Sequence, residues 1–426
     1  MRTGGERLPH RLARVLIRRN RDVRLLVSSV GISAFGDLLG MVPLALHVQQ
    51  RTGSGLAVAG FFLAMFGPIV VLSGVAGLLA DRFENTRLLA LVSAAQAVVA
   101  AALAFAGPPA LVLPLVAVLG SGAAIAAPAE FSLIPAVAGG EHIAAANGYV
   151  ETARYTGMTA GPLIGGLLAG AGLGRAALLL DALSFVIVVT AALSLRARRH
   201  PSSSRSEPVA GEDGGRARDG LTFIARDRTL APTIAVSLAA LLFFSVSMTA
   251  ELFFAKDVLR AGDAGYGLLL TGWTVGMVAG ASVLARRVPS ALLATGALAA
   301  VAIQGAGLFG AALSSVLALA VAGFALGGIA HGVKNVVLRT LIHERVPESL
   351  RGRAYSTYNG ARNAAELGAL VAGGVLVGAI GARTALLISG AVPLGIGAIA
   401  LVLATARRSL QTQQIQRRPA HAHHKG

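Results

Sequence analysis

The 426-residue chain contains no cysteine. Disulfides, thiolate metal sites and cysteine nucleophiles are thereby excluded. Charge is scarce as well: 13% of residues are Asp, Glu, Lys or Arg, against about 25% in a soluble domain. Two stretches, Leu88 to Ala129 and Val288 to Gly332, carry none at all, and each is long enough for two crossings of about 20 residues. The apolar segments do not alternate with polar residues, which argues against a β-barrel. No Gly-Lys-Ser/Thr phosphate loop is present, so ATP is not expected to supply the energy, and "GAGLG" at 170–174 lacks the strand and third spaced glycine of a dinucleotide site. His421, His423 and His424 have no second ligand cluster to make a metal site. No cofactor, metal or enzymatic site is expected.

What remains is a polytopic membrane chain, 55% hydrophobic. Gly/Pro punctuation and charge clusters divide it into twelve spans, near 24–48, 56–80, 88–107, 111–134, 146–169, 174–195, 230–252, 264–285, 290–310, 314–336, 354–378 and 384–406. The net charge of +17 follows from topology: 29 of the 37 Lys and Arg fall on one side, five on the other and three in or at the ends of spans. By the positive-inside rule the arginine-rich face is cytoplasmic, with both termini. The basic residues need no nucleic-acid partner, and the first apolar segment is too long for a cleaved signal peptide.

Residues 200–220 are rich in Ser, Gly, Pro and mixed charge and read as a flexible linker. The expected organisation is a basic N-terminus (1–23), a six-helix bundle (24–195), a cytoplasmic linker (196–229), a second bundle (230–406) and a tail (407–426). The halves are repeats. A shift of 208 residues superimposes 153–180 on 361–388 with eleven identities, among them Arg154 with Arg362, Gly165-Gly166 with Gly373-Gly374, and Arg175 with Arg383. Parallel repeats of this kind build two bundles around a central cavity in secondary transporters.

"GLLADRFENTR" (77–87), between spans 2 and 3, resembles the loop signature of the major facilitator superfamily through Gly77, Leu79, Ala80, Asp81, Arg82 and Arg87. The resemblance implies that Gly77 permits close helix approach and that Asp81 meets a helix N-terminus of the other half to hold the cytoplasmic side shut, a position that favours a carboxylate. The corresponding loop after span 8, "GASVLARRVPS" (280–290), has Ala285-Arg286 instead of Ala-Asp and is degenerate. In "GMTAGPLIGG" (157–166), Gly157, Gly161 and Gly165 form a small-residue ridge where helix backbones can touch. Pro162 breaks one backbone hydrogen bond and bends the helix. Together with Gly166 the stretch resembles the superfamily's antiporter motif, which implies export. Strings along nearly the whole chain, such as "GISAFGDLL", "PAEFSLIPAV" and "VPESLRGRAYS", are similar to the macrolide-efflux and siderophore-exporter branch of its proton-linked drug antiporters.

Charges in mid-membrane are costly and mark function. Asp37 in span 1 is the first candidate proton carrier, followed by Glu130 and Glu366. Glu151 with Arg154, and Arg362 with Glu366, share helix faces; with Lys334 they are expected to form an inner charge network. Static pairs are the alternative, and Glu251 near the outer end of span 7 reads as solvated. The expected activity is proton-coupled export of an amphipathic small molecule across the plasma membrane by a monomer. Facilitator-type uptake and a non-transporting sensor or scaffold are the alternatives.

Overall fold

The computed structural model describes residues 20–139, 142–197 and 213–416. Most of the expected N-terminal segment, the linker from 198 to 212 and the histidine tail from 417 lie outside the described residues. Among those described the protein is all helical. Ten helices are long and apolar enough to cross a membrane, eleven when the bent halves of span 2 count as one crossing. Span 5 (Ile143–Gly170) is the twelfth. It is an unbroken helix of 28 residues, about 42 Å long at 1.5 Å per residue. Its glycines and the charged Glu151 and Arg154 dilute its apolar character, and it lies against span 1 and span 8.

The ends of the helices follow from local chemistry. Span 1 (Arg21–Thr52) starts where the Asn20 side chain accepts from the Asp22 and Val23 amides and stops at Gly53, which adopts φ +59°. A left-handed residue at that position is favourable only without a Cβ. Span 2 consists of Gly55–Val71 and Ser73–Arg82, bent by 53° at Leu72. Pro68 and the Ser73-Gly74 pair flank the bend, the usual causes of such a kink. Span 7 (Leu230–Phe253) ends in a π turn, and span 8 (Gly262–Ala279) passes through another at Gly280–Leu284 before its degenerate loop.

The linker differs from its expected form. Residues Asp213–Arg226 are a helix packed on span 11 (Glu348–Ile380), with Gly220 against the backbone of Arg353 and Ala354. Ile224 is buried in the inner core of the second half with Leu350, Tyr355 and Tyr358. The apolar residues are confined to its last turns, Leu221, Phe223 and Ile224, past the polar stretch 200–220, and Phe223 and Ile224 dock the helix on that core.

The repeat is legible in atoms. Gly165 lies against the Leu39 carbonyl of span 1, and Gly373 against the Val246 carbonyl of span 7. The next glycine of each pair faces the other half: Gly166 meets Gly267 and the Asp263 carbonyl on span 8, and Gly374 meets Ala59 and the Gly55 carbonyl on span 2. Gly267 and Ala59, like Asp263 and Gly55, are related by the same 208-residue shift. The two halves therefore meet through two repeat-related crossings, span 5 on 8 and span 11 on 2.

Both crossings lie toward the face with few basic residues. There one hydrophobic core is shared by the halves, from Met41, Phe61 and Phe62 to Phe254, Tyr266 and Leu370. Toward the arginine-rich face each half has its own core, one around Leu26, Leu133 and Val188 and the other around Leu230, Leu338 and Ile342. The arrangement is sealed on the arginine-poor side and parted on the other. A polar latch closes the seal: Lys256 Nζ lies 2.6 Å from Asp263 Oδ1, and Gln50 Nε2 donates across the halves to Asp263 Oδ2 at 3.3 Å.

Candidate functional site

A cavity of about 180 Å³ lies in the first half. It is smaller than the roughly 300–1,000 Å³ of ordinary ligand pockets. Its walls are apolar, including Met41, Leu44, Phe61, Met65, Phe66 and Met158, and its polar groups are Asp37, Arg154 and Asp181. Asp37 is half-buried and makes no hydrogen bond or ion pair among the described residues. Arg154 Nη2 donates to Glu130 Oε2 at 3.2 Å, and its Nε lies 3.8 Å from Glu151 Oε1. Of the acids proposed as proton carriers, Glu130 is thus neutralised by a cation while Asp37 stands free at the cavity.

Asp181 of span 6 (Gly174–Ser194) was not among the sequence candidates. It is 3% exposed, and its Oδ1 has no partner. The carboxyl rests on Gly36 and Gly40 of span 1, where any Cβ would come within 2.8 Å of its oxygens. Those two glycines, four apart in "GISAFGDLLG", were the available signal. The 208-residue shift carries Asp181 to Ser389, so this acid belongs to one half only.

The residues expected to form one inner charge network fall into two separate groups. The first is Glu130–Arg154–Glu151. In the second half Arg362 pairs with Glu366 at 3.6 Å, and buried Lys334 donates to Gln304 Oε1 at 2.9 Å. No ion pair among the described residues joins the groups. Nearby, Trp273 stacks on Phe244 with ring centroids 4.4 Å apart, and His331 tilts against both. Glu251, read as solvated, is instead 4% exposed and accepts from Ser247 Oγ at 2.9 Å. Proximity to the span end misled that reading, because the outer seal covers it.

In the loop motif, Asp81 and Arg82 are exposed and make no ion pair among the described residues. Asp81 and Gly77 line a groove formed by spans 2, 4 and 5 of their own half. A Cβ on Gly77 would meet nothing within 4 Å, so the close approach it allows is not made in this conformation. Arg87 pairs with Glu84, which caps span 3 (Asn85–Leu103). The latch implied by the resemblance is disengaged, as the parted inner ends require.

The glycine ridge is assigned more finely. Gly157, Gly161 and Gly165 pack on span 1 of the same half, with Gly161 against Phe35, Leu38 and Leu39. Pro162 and Gly166 supply the contact with the opposite half through Gly267.

Two repeated bundles, a sealed end and a membrane-embedded cavity define a secondary-transporter fold. The sequence profile of the Major Facilitator Superfamily matches residues 25–309 and 286–424, and the chain belongs to that superfamily. An uncharacterized MFS-type transporter, YfiS of Bacillus subtilis (strain 168), is 24% identical over 410 residues, covering 93% of this chain and 97% of that protein. The lysophospholipid transporter LplT of Yersinia enterocolitica is 29% identical over 182 residues, 42% of this chain and 44% of its own length. Among solved structures, the nucleoside transporter NupG superposes with a TM-score of 0.66 at 14% identity, over 91% of this chain and 98% of that one. A bacterial homologue of the human lysosomal transporter Spinster, in an inward-facing and unoccupied conformation, gives 0.65 at 14% identity over 90% and 97%.

Proposed function

We propose that the protein is a proton-coupled exporter of amphipathic small molecules, working as a monomer in the plasma membrane with its arginine-rich face in the cytoplasm. The observation that carries this reading is the unpartnered carboxyl of Asp37 in an apolar cavity, beside an arginine already paired with Glu130. Such a carboxyl can hold either a proton or the polar end of an amphiphile, and competition between the two couples their opposite movements. The parted inner face is the side from which cargo enters, and reopening the span 5–8 and 11–2 crossings releases it outside. The antiporter-like glycine motif supports export over uptake. The partial likeness to a lysophospholipid transporter supports an amphiphile as cargo.

The test uses everted vesicles containing the full chain, with an imposed pH gradient and a fluorescent lipophilic amine or lysophospholipid as probe. Uptake that collapses with a protonophore and is reduced to the empty-vesicle level by Asp37→Asn supports the reading. Equal accumulation with and without the gradient rejects coupling, and full activity in Asp37→Asn moves the proton elsewhere.

A further inference from the structure

The 208-residue shift carries Asp37 to Ser245 and Asp181 to Ser389, so two carboxyls of the first half stand where the second half has two hydroxyls. Both serines are buried. The second half also fills the corresponding space with rings: Trp273 and His331 take the places of Met65 and Ala123, which line the cavity of the first half, and their ring centroids lie 5.3 Å apart. The same helix frame closes there without either acid. Packing therefore gives no reason for Asp37 and Asp181 to occur together at a void, and a ligand does.

The second acid is placed to meet it. Asp181 is 3% exposed with Oδ1 unpartnered, and the Ser184 hydroxyl one turn on donates to the Asp181 main-chain carbonyl at 2.7 Å. Its carboxyl lies over Gly40, which lines the cavity three residues from Asp37 on span 1. Asp37 and Asp181 supply the only side-chain oxygens among the lining residues, and a sphere of the cavity's 180 Å³ is about 7 Å across. That is narrow enough for one nitrogen to reach an oxygen of each at the roughly 2.7–2.9 Å of a charge-assisted hydrogen bond. Arg154, the cation on the wall, is held by Glu130 and Glu151, so the surplus charge at the cavity is negative.

We infer that Asp37 and Asp181 together grip a primary ammonium group, the polar end of an amphipathic amine whose apolar body extends beyond the cavity. The inference rests on the proposed role of Asp37 as the carboxyl that meets cargo, and adds a second carboxyl and the chemistry of the head. A divalent metal ion is a poor occupant, because calcium and magnesium take six or more oxygens and two side chains supply them here. A primary ammonium donates to both carboxylates at once, while Met65, Phe66 and Met158 receive its first methylenes. A tertiary ammonium has one N–H and leaves one buried carboxylate unsatisfied, which is costly. A quaternary ammonium has none, and its methyl groups hold the charge away from both oxygens.

The experiment is titration calorimetry of the full chain in a neutral maltoside detergent at neutral pH, with empty micelles as the blank. The probes are octylamine, N,N-dimethyloctylamine and octyltrimethylammonium, three cations with one alkyl chain and a falling number of N–H donors. Octylamine is expected to bind about tenfold more tightly than dimethyloctylamine, and that amine about tenfold more tightly than the quaternary ion, one charge-assisted hydrogen bond at each step. The isosteric Asp181→Asn should erase the first step at an unchanged melting temperature. Asp257→Asn, exposed and outside the cavity, should alter neither step. Equal binding of the three probes, a preference for the quaternary ion, no binding of octylamine, or a first step that survives Asp181→Asn overturns the proposal. The wild-type series counts the donors without any variant, so a poorly folded Asp181→Asn does not shield the proposal. No pH gradient enters the measurement: a failure of proton coupling leaves the amine ranking intact, and loss of the ranking leaves gradient-driven export of another probe intact.

Discussion

Asp181 makes the strongest case at the scale of single residues, because its burial is bearable only if something regularly satisfies the unpartnered Oδ1. If it shares a proton or cargo contact with Asp37 across the cavity, Asp181→Asn should cut gradient-driven transport while protein yield and thermal stability stay near wild type. Transport at wild-type rates in that variant would leave Asp181 a packing residue on Gly36 and Gly40. Asp227 provides a pH test outside the membrane. Partial burial works against its charge, yet the Leu230 and Thr229 amides and Arg345 outweigh it and hold the carboxyl below its ordinary value. A group lowered on folding stabilises above its unfolded pKa of about 3.9 and loses that contribution as pH falls through the folded value. Asp227→Ala should therefore cost about 0.5–2 kcal/mol at pH 7, the range for a lost helix cap. Thermal unfolding in detergent should show that gap constant from pH 8 to 5 and closing only in stronger acid. A gap that closes near neutrality would contradict the assignment. Asp37, Arg154 and Glu130 could be read from sequence because charge in an apolar run stands out. Asp181 equally interrupts one, but its meaning depends on span 1 lying across from it, which no single segment reveals.

Among the helices, the glycine pairs divide their work between the two halves, and substitutions should separate the roles. A side chain on Gly161 pushes into span 1 of its own bundle, so Gly161→Val should lower stability, by about 1–3 kcal/mol for an overpacked contact. A side chain on Gly166 pushes into Gly267 and thus only against the sealed conformation, with the same energy shifting the population toward outward-open by about five- to 150-fold. The absence of cysteine makes this measurable by a single introduced thiol. Met248→Cys lies against the shared outer core, and an impermeant maleimide applied outside should label it slowly in the parent and rapidly with Gly166→Val. Equal labelling would mean that the crossing does not limit opening. Gly378, where a Cβ would meet nothing within 4 Å, serves as the control. The ridge was visible in sequence as a four-residue spacing. Which partner it meets was not, because small-residue spacing defines a face and leaves the facing helix open.

The whole molecule is sealed on its arginine-poor side and parted on the other in this conformation. Composition, the basic asymmetry and the 208-residue repeat already implied two bundles around a cavity, since these properties belong to the chain as a solvent-matched whole. The conformation depends on small differences between competing contacts, and the latch that sets it joins residues distant in sequence, Gln50, Lys256 and Asp263. Asp263 is the common member. Asp263→Asn removes the ion pair with Lys256 and weakens the bond from Gln50, while the Asp81 motif on the inner side is untouched. The partly exposed pair, its side chains 19% and 16% accessible, should be worth no more than about 1–2 kcal/mol, between a surface bridge and a charged hydrogen bond. That is enough to shift a two-state population about tenfold. Spin labels on cysteines at Arg21 and Glu348, exposed at the inner ends of the two halves, report the change by pulsed dipolar spectroscopy. The parent should give a single long distance. Asp263→Asn should add a shorter component as the inner ends approach, and Asp263→Asn with Asp81→Asn should lose it again, because the inner latch then has no carboxylate to close with. If the short component persists in the double variant, Asp81 does not hold the inner side; if it never arises, Asp263 does not hold the outer one.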